Sequence, residues 1–151
     1  MTGRIFLVGV LAAALIGVSV GLGGYAFVYA KGYSYLTDDP RACANCHSMN
    51  EQYAGWIKSS HRSAATCNDC HTPASLVPKY WTKASNGFWH SYYFTTGAYP
   101  DQIALRPVSR RITEQNCRRC HGEIVHAIEN AGGVRASISC VRCHASVGHL
   151  H

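Results

Sequence analysis

A single uninterrupted apolar segment dominates the N-terminal part of the chain. Between Arg4 and Lys31 lie 26 residues, Ile5 to Ala30, and none of them is charged. A helix needs about 20 residues to cross the hydrocarbon core of a bilayer, whereas the apolar part of a cleavable signal peptide has about 7–15. The segment therefore predicts a retained transmembrane helix, with a signal sequence cleaved after Ala30 as the alternative.

Beyond this segment the hydrophobic pattern is short and broken. It predicts short helices joined by loops, with almost no β-sheet. One stretch differs from the rest, because eight residues between Tyr80 and Tyr99 are aromatic and Lys79, Lys83 and His90 are interleaved with them. This mixture is typical of an amphipathic segment that lies at a membrane surface.

The strongest chemical signal is the pentapeptide C-x-x-C-H, which occurs four times and uses all eight cysteines. Each copy predicts covalent attachment of one haem, with two thiols bonded to the vinyl groups and the histidine placed to ligate the iron. Zinc sites combine two C-x-x-C pairs in one tetrahedron and do not need a histidine after each pair. A disulfide framework has no use for these histidines. The four copies are Cys43-Ala-Asn-Cys46-His47, Cys67-Asn-Asp-Cys70-His71, Cys117-Arg-Arg-Cys120-His121 and Cys140-Val-Arg-Cys143-His144.

The spacing of the motifs indicates a duplication. Their first cysteines are separated by 24, 50 and 23 residues, which suggests two dihaem units, 43–71 and 117–144, joined by a long connector. We expect an anchor helix at 1–32 and a tetrahaem domain at 33–151. The predicted fold class is mostly α with much irregular structure, one N-terminal transmembrane helix and a small multihaem c-type cytochrome domain.

The formal charge of +6 does not indicate a nucleic-acid partner. Each haem carries two propionates, so four haems bring about eight negative charges that arginine and lysine side chains can bind. Arg118 and Arg119 lie inside a haem motif and are candidates for this role. We expect no nucleic-acid binding.

Histidines outside the motifs are candidates for the second axial position of the haems. His61 precedes the second motif, and His149 stands five residues after His144. His126 stands five residues after His121, which is the same local spacing. We predict His61 and His149 as iron ligands and leave His126 open. The remaining two such histidines are His90 and His151.

The first motif continues as His47-Ser48-Met49, and this pattern behind one N-terminal apolar segment resembles the NapC/NirT family of tetrahaem cytochromes. The resemblance covers essentially the whole chain. It implies that Met49 replaces His47 as the ligand of the first haem iron, whose other side is open or loosely occupied. The residues themselves do not decide between Met49 and His47, although a thioether ligand would raise the potential.

The resemblance also implies a quinol site in the connector. Family members use a lysine of a Lys-Ala pair and a polar residue near the first haem, and Lys83-Ala84 and His90 stand at these positions. Oxidation of menaquinol releases protons, so Lys83 and His90 are predicted as proton acceptors. Some members carry aspartate where this chain has His90, which leaves open whether His90 ligates the iron or acts as a base. Aromatic packing on porphyrin alone is the alternative explanation of the connector.

The short members of the family imply the expected function. They are electron-transfer subunits, not enzymes on their own, that pass electrons from menaquinol to a periplasmic pentahaem cytochrome c nitrite reductase. The alternatives are the same relay serving a nitrate, S-oxide or N-oxide reductase, or a self-contained enzyme acting at an open haem iron. Since haem is attached covalently outside the bacterial cytoplasmic membrane, the domain is expected in the periplasm. Aromatic residues at the outer end of the anchor are expected to form an interfacial belt: Tyr25, Tyr29, Tyr33 and Tyr35.

Overall fold

The computed structural model describes residues 2–100, 103–131 and 139–149, and His151 lies outside these ranges. The chain divides into two compact units, 1–34 and 35–151. The first unit consists mainly of helix α1, Thr2–Tyr29, whose residues are all exposed. Its length and apolar composition are sufficient to cross a membrane, and it is the one helix of the described ranges with this property.

The second unit is built from helices and connecting turns. No β-strand occurs in the described ranges, so the predicted mostly helical fold is confirmed. Short 3₁₀ helices lie at Gly32–Leu36, which spans the boundary between the units, and at His47–Met49. The α-helices of this unit are α2 (Pro40–Cys43), α3 (Asn50–Lys58), α4 (Cys67–His71), α5 (Leu76–Thr96), α6 (Pro107–Cys120), α7 (Gly122–Ala131) and α8 (Cys140–Cys143).

The connector between the two motif pairs forms the 21-residue helix α5. It ends at Gly97, which adopts a left-handed conformation with φ of 65° and closes the helix with backbone hydrogen bonds. One stripe of α5 is apolar and exposed. Helical periodicity places on that stripe Val77, Trp81, Phe88 and Tyr92, with exposures from 79% at Val77 to 50% at Tyr92.

The opposite stripe of α5 is polar and contacts the rest of the domain. Its members repeat at intervals of three and four residues, as one face of a helix requires. Hydrogen bonds connect this stripe to the segment before α2 and to the segment before α6. The helix therefore presents its apolar stripe to the outside, whereas an amphipathic helix that packs on an apolar core turns its apolar stripe inward. The polar stripe consists of Lys79, Lys83, Asn86 and His90.

Side-chain caps fix the short helices that carry the motifs. The Asp39 side chain accepts a hydrogen bond from the Arg41 amide at 2.9 Å at the start of α2. Thr66 and Asp69 form a capping box at the start of α4. Helix α8 is capped from another helix, because the Glu114 carboxylate accepts hydrogen bonds from the Cys140 amide and the Ser139 hydroxyl. A helix of four or five residues is marginal alone, and these contacts hold it in place.

The interior of the domain lacks an ordinary hydrophobic core. Among the described residues no hydrophobic side chain is buried, and the buried side chains are polar. A domain of this length normally depends on buried apolar surface for its stability. The chain therefore requires apolar groups that the polypeptide does not supply, as expected if porphyrins fill the interior. The buried polar residues are Ser59, Thr72, Lys83, Thr113 and Asn116.

Candidate functional site

The last three C-x-x-C-H motifs share a helical backbone. The second motif is helix α4 itself. In the third and fourth, the histidine amide donates to the carbonyl of the first cysteine, at 2.8 Å from His121 to Cys117 and at 2.9 Å from His144 to Cys140. One turn of helix thus places both thiols and the histidine around one edge of a porphyrin.

The first motif is folded differently. Helix α2 ends at Cys43, the backbone of Cys46 is extended, and a 3₁₀ turn follows in which the Met49 amide donates to the Cys46 carbonyl at 2.9 Å. Side chains three residues apart eclipse each other in a 3₁₀ helix, so Met49 is on the same side as Cys46. The His47 ring is exposed and stands edge-on to Phe94, with 5.8 Å between the centroids. Which of Met49 and His47 ligates the iron stays a prediction.

Two pairs of imidazole rings lie at the separation that a shared metal ion requires, one pair nearly parallel (28° between planes) and one edge-on (67°). The centroids of His71 and His149 are 6.0 Å apart, and those of His61 and His121 are also 6.0 Å apart. A metal–imidazole bond of about 2 Å, with about 1 Å more to the ring centre, puts two trans imidazoles about 6 Å apart. Each pair joins a motif histidine to a predicted distal ligand. His149 lies opposite His71 of the second motif, although the fourth motif is nearest to it in sequence, and His61 lies opposite His121 of the third motif, although the second is nearest.

The protonation of the first pair also suits an iron ligand. The His149 Nδ1–H donates to the Gln52 carbonyl at 2.8 Å, so that Nε2 is the ring nitrogen available to a metal ion. Burial, and to a smaller extent the charge of His149, lowers the pKa of His71 to about 4. His71 is therefore neutral at pH 7, the form in which a histidine binds a metal.

The other predicted ligands have different surroundings. His126 is exposed and hydrogen-bonded to Asn130 of its own helix at 3.0 Å, and neither facing pair includes it. His144 is exposed at the end of α8. The role of His126 stays open, and His151 lies outside the described residues.

The four motifs lie next to one another in chain order. The thiols of Cys43 and Cys67 share a hydrogen bond, which lowers the pKa of Cys43 to about 7 and raises that of Cys67. The Asn116 side chain donates to the carbonyls of Cys70 and Thr72, at 3.0 and 2.9 Å, and so ties the second motif to the helix of the third. Glu114 of the same helix caps the fourth motif. The polypeptide thus places the first motif beside the second, the second beside the third, and the third beside the fourth.

These observations test whether the residues fit haem c. All eight cysteines are free thiols available for thioether bonds. Two motifs have a second imidazole at the required separation, and within 35–100, 103–131 and 139–149 no hydrophobic side chain is buried, so that porphyrins could supply the apolar interior. The donor set therefore fits covalently bound haem.

Lys83 is the centre of a charged cluster on the polar stripe of α5. It is buried, with 5% exposure, and its Nζ donates to the Thr37 carbonyl and to Asp38 Oδ1, both at 2.8 Å. Lys79, one turn earlier, donates to Asp38 Oδ2 at 2.5 Å. The Asn68 side chain donates to Asp38 Oδ1 at 2.7 Å. One carboxylate thus joins α4, α5 and the segment before α2.

Asp38 is the anionic partner of Lys83 in this cluster. Hydrogen bonds from Lys79 and Lys83 lower the pKa of Asp38 to about 2, so its carboxyl is ionised at any physiological pH. The Lys83 ammonium is thus paired with a carboxylate. The same ammonium lies near the first motif, because it affects the pKa of Cys43. The hydrogen bond with Cys67 lowers that pKa most, burial raises it, and the positive charge of Lys83 lowers it further. Lys83 therefore supplies a fixed positive charge beside the first predicted haem.

His90 lies two turns further along the same stripe. Its Nδ1 is 3.0 Å from the Tyr35 hydroxyl. Burial lowers the pKa of His90, and the positive charge of Arg106 lowers it further. Arg106 is itself held by a 2.6 Å hydrogen bond to Asn86. His90 is thus neutral at pH 7 and able to accept a proton, while its residue surface remains exposed to solvent.

Sequence reasoning missed Asp38, Asn68 and Tyr35. Asp38 and Asn68 were not singled out, and Tyr35 was assigned to an aromatic belt. The only available signal was that Asp38 is an acidic residue close to the first motif in a chain with few acidic residues. Arg118, expected to bind a propionate, is paired with Glu129 of α7.

Comparison with known proteins identifies the family of this chain. The model of the NapC/NirT cytochrome c family, N-terminal region, matches residues 6–151. The chain is 37% identical to cytochrome c-type protein NrfH of Wolinella succinogenes, over 87% of this chain and 80% of that protein. It is 34% identical to the cytochrome c nitrite reductase subunit NrfH of Nitratidesulfovibrio vulgaris, over 93% of this chain and 82% of that protein.

A solved structure is also similar. It is the crystal structure of a cytochrome c nitrite reductase NrfHA complex bound to the HQNO inhibitor, with a TM-score of 0.65, 29% identity and 90% coverage of both chains. The matches extend over both units of the chain, and so include the apolar helix as well as all four motifs. The chain therefore belongs to the NapC/NirT cytochrome c family.

Proposed function

We propose that this protein is a membrane-anchored cytochrome with four haem c groups that oxidises menaquinol and passes the electrons to a periplasmic cytochrome c nitrite reductase. Helix α1 is the anchor in the cytoplasmic membrane, and residues 33–151 form the periplasmic domain. The chain is not a nitrite reductase itself. Its relatives NrfH of W. succinogenes and of N. vulgaris, the latter named as a nitrite reductase subunit, support this assignment.

The observation that carries the proposal is the two-sided character of α5. Its exposed apolar stripe suits contact with the lipid phase in which a quinol is dissolved. Its opposite stripe holds Lys83 and His90, while Phe94 of the same helix contacts His47 of the first motif. One helix thus connects an apolar surface, charged and titratable groups, and the first haem motif. A relay receiving electrons from a soluble donor would have no need of such a surface.

The residues of the site have complementary tasks. Haem iron supplies reversible one-electron acceptance when it is bound. The Lys83 ammonium, fixed by Asp38, stabilises negative charge that develops on a quinol oxygen as its proton leaves. His90 is neutral and accepts that proton. The ion pair thus gives Lys83 an electrostatic role instead of the acceptor role that the sequence suggested.

The order of the motifs supports transfer away from the membrane. Contacts join them in sequence, and the third and fourth motifs each have an exposed cysteine and an exposed histidine, Cys120 and His121 in the third and Cys143 and His144 in the fourth. We propose that the fourth haem, at the end of this series, passes the electrons to the partner protein. We propose that Met49 ligates the first haem, that His71 and His149 share the second, and that His121 and His61 share the third.

Co-purification tests the choice of partner. We expect the tagged chain, extracted from membranes in mild detergent, to retain a pentahaem cytochrome c nitrite reductase, and mass spectrometry to identify it. A Cys140→Ala/Cys143→Ala variant serves as the control, because it cannot attach the fourth haem but keeps His149, and it should lose the partner. Retention of a nitrate, S-oxide or N-oxide reductase instead would contradict the nitrite assignment while leaving the relay intact.

A further inference from the structure

Tyr35 is positioned to control the chemistry of His90. It lies at the end of the 3₁₀ helix Gly32–Leu36, and its ring rests on α5 over Gly87. A Cβ atom at Gly87 would be 3.4 Å from this ring, so glycine allows the close approach. The Tyr35 hydroxyl then reaches Nδ1 of His90 at 3.0 Å, three residues further along the helix.

The phenol keeps its proton under all physiological conditions. Burial raises the pKa of Tyr35 to about 12, with smaller contributions from Cys46 and Cys43. The contributions of Cys46 and Cys43 also show that the phenol lies beside the first haem motif. Tyr35 is therefore a neutral hydroxyl, able to donate to or accept from an imidazole nitrogen.

From this geometry we propose that Tyr35 is a positioning residue of the quinol site: its oxygen accepts the Nδ1–H of neutral His90, which leaves Nε2 unprotonated and able to receive the proton of the quinol. The proposal rests on the proposed function, because it names the group that orients the base of that site. It concerns a residue outside α5, 55 positions earlier in the chain.

A quinol that becomes a quinone loses two protons and two electrons. As one O–H bond of the quinol breaks, its proton binds Nε2 of His90, and the imidazolium keeps its Nδ1–H on the Tyr35 oxygen. His90, whose residue is exposed, then returns this proton to solvent and accepts the second one. The haems that the four motifs would hold would take the two electrons one at a time, the first being passed on before the second arrives.

The hydrogen bond has a predictable effect on titration. Two groups flank the imidazole, the Tyr35 hydroxyl and the Arg106 guanidinium. A hydrogen bond to the charged imidazolium is stronger than one to the neutral ring. Tyr35 therefore favours the protonated form and opposes the effect of Arg106, and its loss should lower the pKa of His90.

Tyr35→Phe removes only the hydroxyl and tests the proposal. In proteoliposomes supplied with menaquinol, we expect kcat for haem reduction to fall about tenfold with KM changed less than twofold. The acid limb of the pH–rate profile should move to lower pH by about one unit, because the hydrogen bond that is lost stabilises the protonated imidazole more than the neutral one. Tyr33→Phe, a half-exposed tyrosine of the same 3₁₀ helix, is the matched control and should behave as wild type.

A double-variant comparison separates positioning from a merely structural effect. In a His90→Asn background, Tyr35→Phe should cause no further loss of rate, because its effect passes through His90. An equal loss in both backgrounds, or an unchanged rate and pH profile in Tyr35→Phe alone, would overturn the proposal. If menaquinol fails to reduce the wild-type protein, the proposed function fails instead, so the two outcomes are distinct.

Discussion

Replacing Lys83 by leucine should slow menaquinol-driven haem reduction about 100-fold, the effect typical for removal of one preorganised charge or donor at a transition state. Lys83 is the buried end of the Asp38 ion pair, and its positive charge contributes to the lowered pKa of Cys43 in the first motif. Leucine fills a similar volume, and Asp38 keeps Lys79 and Asn68 as partners, so the fold should persist. Stopped-flow absorbance in proteoliposomes measures the rate, and dithionite should still reduce every haem.

Lys79→Leu is the matched control for this prediction. It removes the same charge from the same helix stripe and from the same carboxylate, but Lys79 is 22% exposed and lies one turn further from His90. We expect its reduction rate to stay within about threefold of wild type. Equal losses in both variants would indicate that the site needs only the overall charge of the cluster, and a normal rate in Lys83→Leu would remove the role assigned to Lys83.

Loss of His149 should convert one six-coordinate, low-spin haem to the high-spin state. The affected haem should be the one held by Cys67 and Cys70, because His149 faces His71 and not the histidine of the neighbouring fourth motif. His61→Ala should convert one other haem, the one held by Cys117 and Cys120, because His61 faces His121. Spin quantitation by electron paramagnetic resonance counts the converted haems, and a crystal structure of each variant locates the vacant position.

The double variant His61→Ala/His149→Ala should contain two converted haems. His126→Ala is the comparison, because His126 binds Asn130 and belongs to neither facing pair; we expect it to convert none. A vacancy at the fourth haem in His149→Ala would contradict the pairing. Conversion of a haem by His126→Ala would instead make His126 a ligand.

Much of the fold could be predicted because its signals are local. The apolar segment from Ile5 to Ala30 carries its own length and composition, and the four pentapeptides specify their chemistry without reference to the rest of the chain. The mostly helical fold followed from them and is confirmed. The shared pentapeptide does not reveal that the first motif forms a turn whereas the other three are helical. Met49, two residues after the motif, is the feature of the sequence that sets the first motif apart.

The site could be predicted only in part, since its contacts are long-range. Lys83 and His90 were found from their positions in an aromatic stretch, but their partners Asp38 and Tyr35 lie 45 and 55 residues away. No local pattern connects such residues. The connector was expected to be amphipathic, but the direction in which its apolar stripe points could not be predicted. That direction depends on the distant residues that bind its polar stripe. The pairing of His149 with His71 likewise joins the end of the chain to its middle.

The most direct test of the central claim is menaquinol-driven nitrite reduction in a reconstituted system. Proteoliposomes would contain the wild-type chain and menaquinol, with purified pentahaem cytochrome c nitrite reductase added outside, and nitrite consumption would be followed. We expect consumption that requires both proteins and stops in liposomes without the chain. Haems that dithionite reduces fully but menaquinol does not reduce at all would contradict the claim that this protein carries electrons from a membrane quinol to a periplasmic nitrite reductase.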